Sequence, residues 1–315
     1  MIARLQQAIT LTMAALVVGW AAVCIFGGRG TWAFGGLALL AGGYALVIGA
    51  EFVLLAQVHR RDDPTPRAGA AQLLRAWLGE VRTAPRVFCW RQPFFSSAEP
   101  DHVDGSATGR RGIVFIHGFF CNRALWNPWM ARLRRRGVPF VAVNLEPVLG
   151  PIDAYRDIVD AAVRRIEHAT GVAPLLVAHS MGGLAARDWW SAQTDPYRVH
   201  RIVTIGSPHH GTWLAGVSRA RNGRQMRLGS DWLVALARRE AERAHPYRRY
   251  TCFYGNCDNI VFPPSVATLP GADNRLLTTV AHVHMVYAQA VADEVDRWLA
   301  APIDVPAAEI KPPSV

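Results

Sequence analysis

Charge, cysteine and lysine are all scarce in this chain of 315 residues. Only 18% of the residues are charged against 51% hydrophobic, which excludes an intrinsically disordered chain and leaves ample material for a core. Five cysteines (Cys24, Cys89, Cys121, Cys252, Cys257) are too few and too scattered for a disulfide scaffold or a zinc ribbon. Cys252 and Cys257 have no partnering His/Cys cluster and read as ordinary thiols, with a local disulfide as the alternative. Lys311 is the single lysine, so the net charge of +10 is carried by arginine. Those arginines are spread along the chain without a recognisable nucleic-acid-binding motif. The pI near 10 therefore points to anionic lipid head groups rather than to nucleic acid. There is no internal repeat.

Apolar sequence is abundant, and it is concentrated at the start. Residues 9–26 (ITLTMAALVVGWAAVCIF) carry no charge. After the turn Gly27-Gly28-Arg29-Gly30-Thr31, residues 32–50 are again uncharged, and the run continues past Glu51 through FVLLAQV to Val58. A spanning helix needs roughly 20 such residues. The expectation is a transmembrane helical hairpin over 1–58, with spans at 9–26 and 32–57. Trp20 and Trp32 flank the turn as interfacial aromatics do, and Gly35, Gly36, Gly42 and Gly43 permit close helix approach. A cleavable signal peptide fits less well, because a second span comes at once and no small-x-small site precedes a polar sequence. Ala-Ala-Val before Cys24 is also a poor lipoprotein site. Glu51, the one acid of the hairpin, is expected as an interfacial side chain.

Residues 59–111 form a connecting segment after the hairpin. They are read as an amphipathic helix at 70–81, a strand at 86–91 and a polar loop at 96–112. From there strands and helices alternate. Strands are expected at 112–117, 139–144, 174–178, 201–205 and 250–254, and helices at 127–136, 155–168, 184–190 and 285–299. Residues 155–168 carry the i, i+3, i+4, i+7 apolar stripe of an amphipathic helix. Such alternation implies an α/β fold over 112–300, a mostly parallel sheet covered on both faces. Residues 301–315 form a Pro-rich tail.

The chemistry sits at a strand-to-helix junction. Leu175-Leu176-Val177-Ala178-His179-Ser180-Met181-Gly182-Gly183 reads as a nucleophile elbow, in which small residues two before and two after the serine permit a strained turn. Ala178 stands where glycine is usual and is small enough to serve. The turn lifts Ser180 above the sheet and aims the next backbone N–H, that of Met181, at a reacting carbonyl oxygen. An ordinary Gly-rich turn would explain the same residues structurally.

With these residues the stretch 112–299 resembles the α/β-hydrolases, specifically the bacterial lipase and esterase branch with an Ala-x-Ser-x-Gly elbow. His117-Gly118-Phe119-Phe120 stands where that family has its oxyanion motif. Gly206-Ser207-Pro208-His209-His210-Gly211-Thr212 resembles the lipase Thr-x-x-x-Pro-His-x-Gly segment. Acyl transfer develops negative charge on oxygen, and two preorganised N–H donors stabilise it; the resemblance supplies Phe119 beside Met181. His117 itself is expected to bond backbone as a structural loop residue. The resemblance implies Asp258 as the acid, in the loop Gly255-Asn256-Cys257-Asp258-Asn259 before an apolar pair and proline. Its rivals are explained otherwise, Asp231 by N-capping and Asp273 by turn chemistry. Of two nearby histidines, the resemblance favours His282, after Ala281, as the base, and leaves His284 as a rim or substrate-contact residue. The other nine histidines read as surface or loop residues.

Residues 212–248 are longer than a connection needs and are read as a cap or lid, with Trp232 and Leu236 either lining a pocket or burying a helix. Phe120, Trp126 and Trp232 are candidates for contacting an apolar acyl or alcohol group. The function implied is a membrane-tethered serine hydrolase of carboxylic esters, lipid-like ones among them, with no metal or organic cofactor. The same triad serves thioesterases, amidases and acyltransferases, and an idle hydrolase domain acting as a membrane interaction module is the rival of another class.

Flanking charge sets the orientation. Arg4 before the first span and His59, Arg60, Arg61 and Arg67 after the second outweigh Arg29 in the turn, so both ends belong in the cytoplasm, at a bacterial inner membrane. A fluorescent protein fused to the C-terminus is therefore expected to fluoresce, and a phosphatase fused there to stay inactive. An active periplasmic phosphatase would overturn this orientation.

Overall fold

The computed structural model describes residues 1–59, 63–103 and 107–303. Arg60 and Arg61, counted among the flanking charges, and most of the Pro-rich tail lie outside the described residues.

The chain opens with two long helices, α1 (Ile2–Phe26) and α2 (Gly35–Val58). Gly28 in the turn between them adopts φ 68°, a conformation that costs glycine nothing. The helices meet where the Trp20 indole lies over Gly36; a Cβ there would stand 2.9 Å from the ring. Both helices are long and apolar enough to cross a membrane. Their outward side chains, including Leu11, Leu16, Val18, Leu39 and Leu46, are exposed. In water that surface would cost roughly 25 cal/mol per Å².

Next come α3 (Ala70–Pro85), a π-helical turn (Arg86–Arg91) and α4 (Gln92–Phe94), forming one continuous helical rod. The strand expected at 86–91 is therefore a helix. Its β-branched and aromatic residues suggested a strand, but Val87 is needed in the core beside Ala84, Ile113 and Phe115. The widened turn comes after Pro85, which has no N–H to give to the helical ladder.

Among the described residues six strands form one parallel sheet, ordered β2-β1-β3-β4-β5-β6. They are β1 (Ile113–Ile116), β2 (Phe140–Ala142), β3 (Leu175–His179), β4 (Arg201–Ile205), β5 (Tyr250–Gly255) and β6 (Asp273–Leu277). The helices between and after them are α5 (Asn127–Arg135), α6 (Arg156–Thr170), α7 (Met181–Ser191), α8 (Arg221–Gln225), α9 (Asp231–Ala241) and α10 (Gln289–Ala300). Successive strand residues point to opposite faces. Val114, Ile116, Leu176 and Ala178 bury into one core cluster with α6 and α7. Ile113, Phe115, Leu175 and Val177 bury into the other with α5 and α10. Strand order reverses at β1, so the carboxyl ends of β1 and β3 mark the switch point at which open α/β sheets place their ligands.

Three expectations shift. Residues 273–277, DNRLL, have little β-propensity, yet they form edge strand β6, pairing with β5 alone. Asp273 thus sits in a strand and pairs with Arg275 at 2.7 Å rather than shaping a turn. Ser230, not Asp231, caps α9, its Oγ accepting from Leu233 N at 3.3 Å. The last helix begins at Gln289, after a 3-10 turn at His284–Tyr287.

The segment 212–248 contains α8 and α9, and α9 is docked. Leu236 is fully buried, and Glu240 meets the buried Arg187 of α7 at 2.5 and 3.0 Å. Burial alone would lower the Arg187 pKa, but the Glu240 carboxylate reverses this and raises it. Tyr247 donates to the same carboxylate at 2.7 Å, and Arg187 donates to His209 O at 2.7 Å. Arg187→Met, which strands Glu240, is expected to cost about 3–5 kcal/mol. The double variant Arg187→Met/Glu240→Leu should regain much of it. Urea-unfolding midpoints measure both; a neutral single variant would contradict the assignment.

Candidate active site

Ser180 joins β3 to α7 with φ 55° and ψ −128°, a strained backbone for a residue with a side chain. The neighbours make room for it. A Cβ on Gly182 would stand 2.6 Å from the carbonyl oxygens of Ile116 and His117. One on Gly118 would stand 2.8 Å from Ser180 Cβ and 3.3 Å from Oγ. The loop after β1 therefore lies directly against the serine. Met181 opens α7, so its N–H has no acceptor within the helix. Phe119 follows Gly118 in this loop.

His117 works as a loop residue. Its Nε2 accepts from Leu145 N at 3.0 Å, so Nδ1 carries the proton and donates to Gly118 O at 2.9 Å. Burial lowers its pKa to about 4 and keeps it neutral.

Asp258 lies just past β5, and both of its carboxylate oxygens lie 3.0 Å from His282 Nδ1. Oδ1 also accepts from Ile260 N at 2.9 Å and Val261 N at 2.8 Å, so the loop backbone holds the acid in place. Gly206, at φ 55°, lets the chain after β4 pass the pair; a Cβ there would stand 2.9 Å from Asp258 Oδ2 and 3.1 Å from His282 Nδ1. Both residues are nearly fully buried. No hydrogen bond joins Ser180 Oγ to the His282 ring among the described residues. Free enzymes often hold such a pair loosely until substrate arrives.

The backbone around His282 is fastened from outside the sheet, by residues to which the sequence analysis gave no such role. Glu80 of α3, 2% exposed, accepts from Val283 N and His284 N, each at 3.0 Å. Asn259 Oδ1 accepts from His282 N at 3.1 Å, and Asn259 Nδ2 donates to Glu51 of α2 at 2.5 Å. Glu51 therefore faces the loop after β5 instead of serving as a free interfacial side chain. His179, the residue before the serine, packs its ring 4.6 Å from that of His282 and bonds His282 O at 3.2 Å. Burial, with His282 beside it, lowers the His179 pKa and keeps that ring neutral. Burial would also lower the His282 pKa, but the charges of Asp258, Glu80 and Glu51 outweigh it, and the pKa is raised.

The remaining candidates fall in different places. Phe119 packs on the core cluster. Phe120 lines an apolar hollow of about 430 Å³ with Ile2, Leu5, Val148, Leu149 and Pro151. Trp126 is fully buried, stacked on Phe115 at 4.8 Å, so it is core rather than a substrate contact. The His284 ring packs against Gly79 of α3. Trp232, half-buried at the start of α9, borders a surface hollow with Arg224 and Asp231. His179 ends strand β3 and is buried, against the expectation of a surface or loop position, while His59, His117 and His209 lie buried in loops. All five cysteines are free.

Comparison with known proteins gives the same architecture. The model of the alpha/beta hydrolase family matches residues 113–310. The mature form of lipase BlEst2 from Bacillus licheniformis superposes with a TM-score of 0.53 at 18% identity, over 61% of this chain and 92% of that one. Lipase B of Aspergillus fumigatus gives 0.53 at 17%, over 66% of this chain and 57% of that one. The chain thus spans just over half the length of the Aspergillus enzyme, and at these identities the likeness is one of fold. No curated protein matches the chain.

Two substitutions separate the roles. With His282 as the base, His282→Ala should lower kcat/KM by at least about a hundredfold, while His284→Ala keeps most of the activity; equal losses would sink the assignment. A base works neutral, so activity should fall as pH drops through the raised His282 pKa. Glu80→Gln removes one of the raising charges and should move that acid limb to lower pH. It should also cost about 1–3 kcal/mol, because one N–H loses its acceptor. A limb that stays put would contradict the coupling.

Proposed function

Because this chain belongs to the alpha/beta hydrolase family, we propose that it is a membrane-anchored serine hydrolase of carboxylic esters. The observation that carries the reading is the strained Ser180 at the end of β3 together with the buried Asp258–His282 pair. Ser180 Oγ attacks the ester carbonyl carbon and gives its proton to His282 Nε2. Asp258 keeps the proton on Nδ1 and stabilises the imidazolium that forms. The N–H groups of Phe119 and Met181 bind the oxyanion. Collapse expels the alcohol, which takes the proton from His282 and leaves an acyl group on Ser180. Water, deprotonated by His282, then releases the acid and restores the serine.

The apolar hollow beside Phe120 suits the acyl chain of a lipid-like ester. The exposed apolar faces of α1 and α2 favour a hairpin spanning a bilayer, with residues 112–300 on the side where the hairpin ends emerge and 212–248 as a cap over the domain. A soluble protein would bury such helices; these bury only a few residues each.

Detergent-solubilised protein is expected to hydrolyse nitrophenyl esters, with an optimum at medium or long acyl chains. Ser180→Ala should lose at least about a thousandfold in kcat. Unchanged turnover in that variant would overturn the reading, and an optimum at acetate would replace a lipid-like substrate with a small one.

A further inference from the structure

The rod formed by α3, the π-helical turn and α4 has two dissimilar faces. Its inner face packs Leu73, Trp77 and Val81 against α2 and buries Glu80 and Val87. Its outer face exposes Leu74, Leu78, Trp90, Phe94 and Phe95, with Trp90 62% and Leu74 55% accessible. Trp90 gathers the two phenylalanines at 5.8 and 5.4 Å between ring centroids. Exposed arginines at 75, 82 and 86 recur at helical spacing among these residues. Between Pro64 and Ala98 the sole acid is Glu80, and it is turned inward.

The rod is also strapped to both helices of the hairpin. Trp77 Nε1 donates to Ala45 O of α2 at 2.9 Å, and Gln7 Nε2 of α1 donates to Pro93 O at 2.7 Å. Along α2 the exposed apolar side chains continue through Leu46, Val47 and Val53, past the level of that Trp77 bond. An apolar and basic face without acids, continuous with apolar hairpin surface, has the composition of a helix lying in a lipid interface.

We propose that this rod lies in the headgroup layer of an anionic bilayer. Its leucines and aromatic rings enter the acyl boundary, and Arg75, Arg82 and Arg86 bind lipid phosphates. The inference rests on the reading of α1 and α2 as membrane spans. It adds that the catalytic domain is seated on the lipid surface by a second element, whose inner face holds the backbone of the base loop through Glu80. A second copy of the chain is a poorer occupant, because two such basic faces repel.

Cys89 supplies the test, since it lies on the outer face and is the exposed one of the five thiols. The full chain is reconstituted into phosphatidylcholine vesicles with and without phosphatidylglycerol, and Cys89 carries an environment-sensitive fluorophore. A second sample carries the fluorophore at Leu39→Cys, in a Cys89→Ser background, as the reference inside the hairpin. The Cys89 label is expected to be quenched by lipids bearing a nitroxide near the glycerol, more strongly when phosphatidylglycerol is present. Arg75→Ala, Arg82→Ala and Arg86→Ala should each weaken that contact about fivefold, with ester turnover retained to show an intact fold. A water-exposed, unquenched Cys89 label beside a quenched Leu39→Cys label would overturn the inference and leave the hairpin reading standing. Shielding that depends on protein density rather than on nitroxide lipid would replace the bilayer by a second copy. If neither label is quenched, the hairpin is not in the bilayer and both readings fail.

Discussion

The buried bond between Asp258 and His282 is the constraint around which the rest of the site is arranged. A carboxylate taken out of water is costly unless its oxygens find donors. Here the imidazole and the N–H groups of Ile260 and Val261 provide them. That requirement shapes the loop after β5. It also explains Gly206 after β4, where a side chain would collide with the pair. The strained Ser180 belongs to the same arrangement, because His179, the residue before it, packs its ring on that of His282 while Gly206 after β4 borders the pair. The six-stranded register then becomes the means of holding the proposed catalytic geometry, and the two core clusters are what hold the register.

The loop of His282 depends equally on residues that precede the family's matched region. Glu80 takes two backbone N–H groups beside His282, and Glu51 reaches it through Asn259. Gln6 of α1 donates to Phe120 O at 3.0 Å, in the loop that lies against Ser180. The helices at the start of the chain therefore touch both halves of the candidate site and are packed into it. A simple tether would need none of these bonds. This arrangement joins the proposed membrane attachment and the proposed chemistry in one structure, since the helices that carry the apolar surface also fasten the loop of His282.

Features encoded locally were legible in the sequence. The elbow needs small residues at fixed offsets, the hairpin needs two long apolar runs, and Asp258 sits in a short loop of recognisable pattern. Each is a statement about neighbours along the chain. The misread features are set by distant contacts. Residues 86–91 have strand-like composition, but the place open to Val87 is on a helix against Ile113 and Phe115. Strand β6 owes its existence to β5, not to its own polar residues. Trp126, near the oxyanion loop in sequence, points into the opposite core. Glu80 and His179 gave no signal at all, because what they bond lies 203 and 103 residues away.

The central claim is that Ser180 is an activated nucleophile under the control of His282. The most direct measurement is peptide mapping by mass spectrometry after brief treatment with a fluorophosphonate, for the wild type and for His282→Ala, across a range of pH. A single adduct is expected, on the peptide carrying Ser180. That adduct should form more slowly as pH falls through the raised His282 pKa and be nearly abolished in the variant. An adduct on another residue, or none on well-folded wild type, would contradict it.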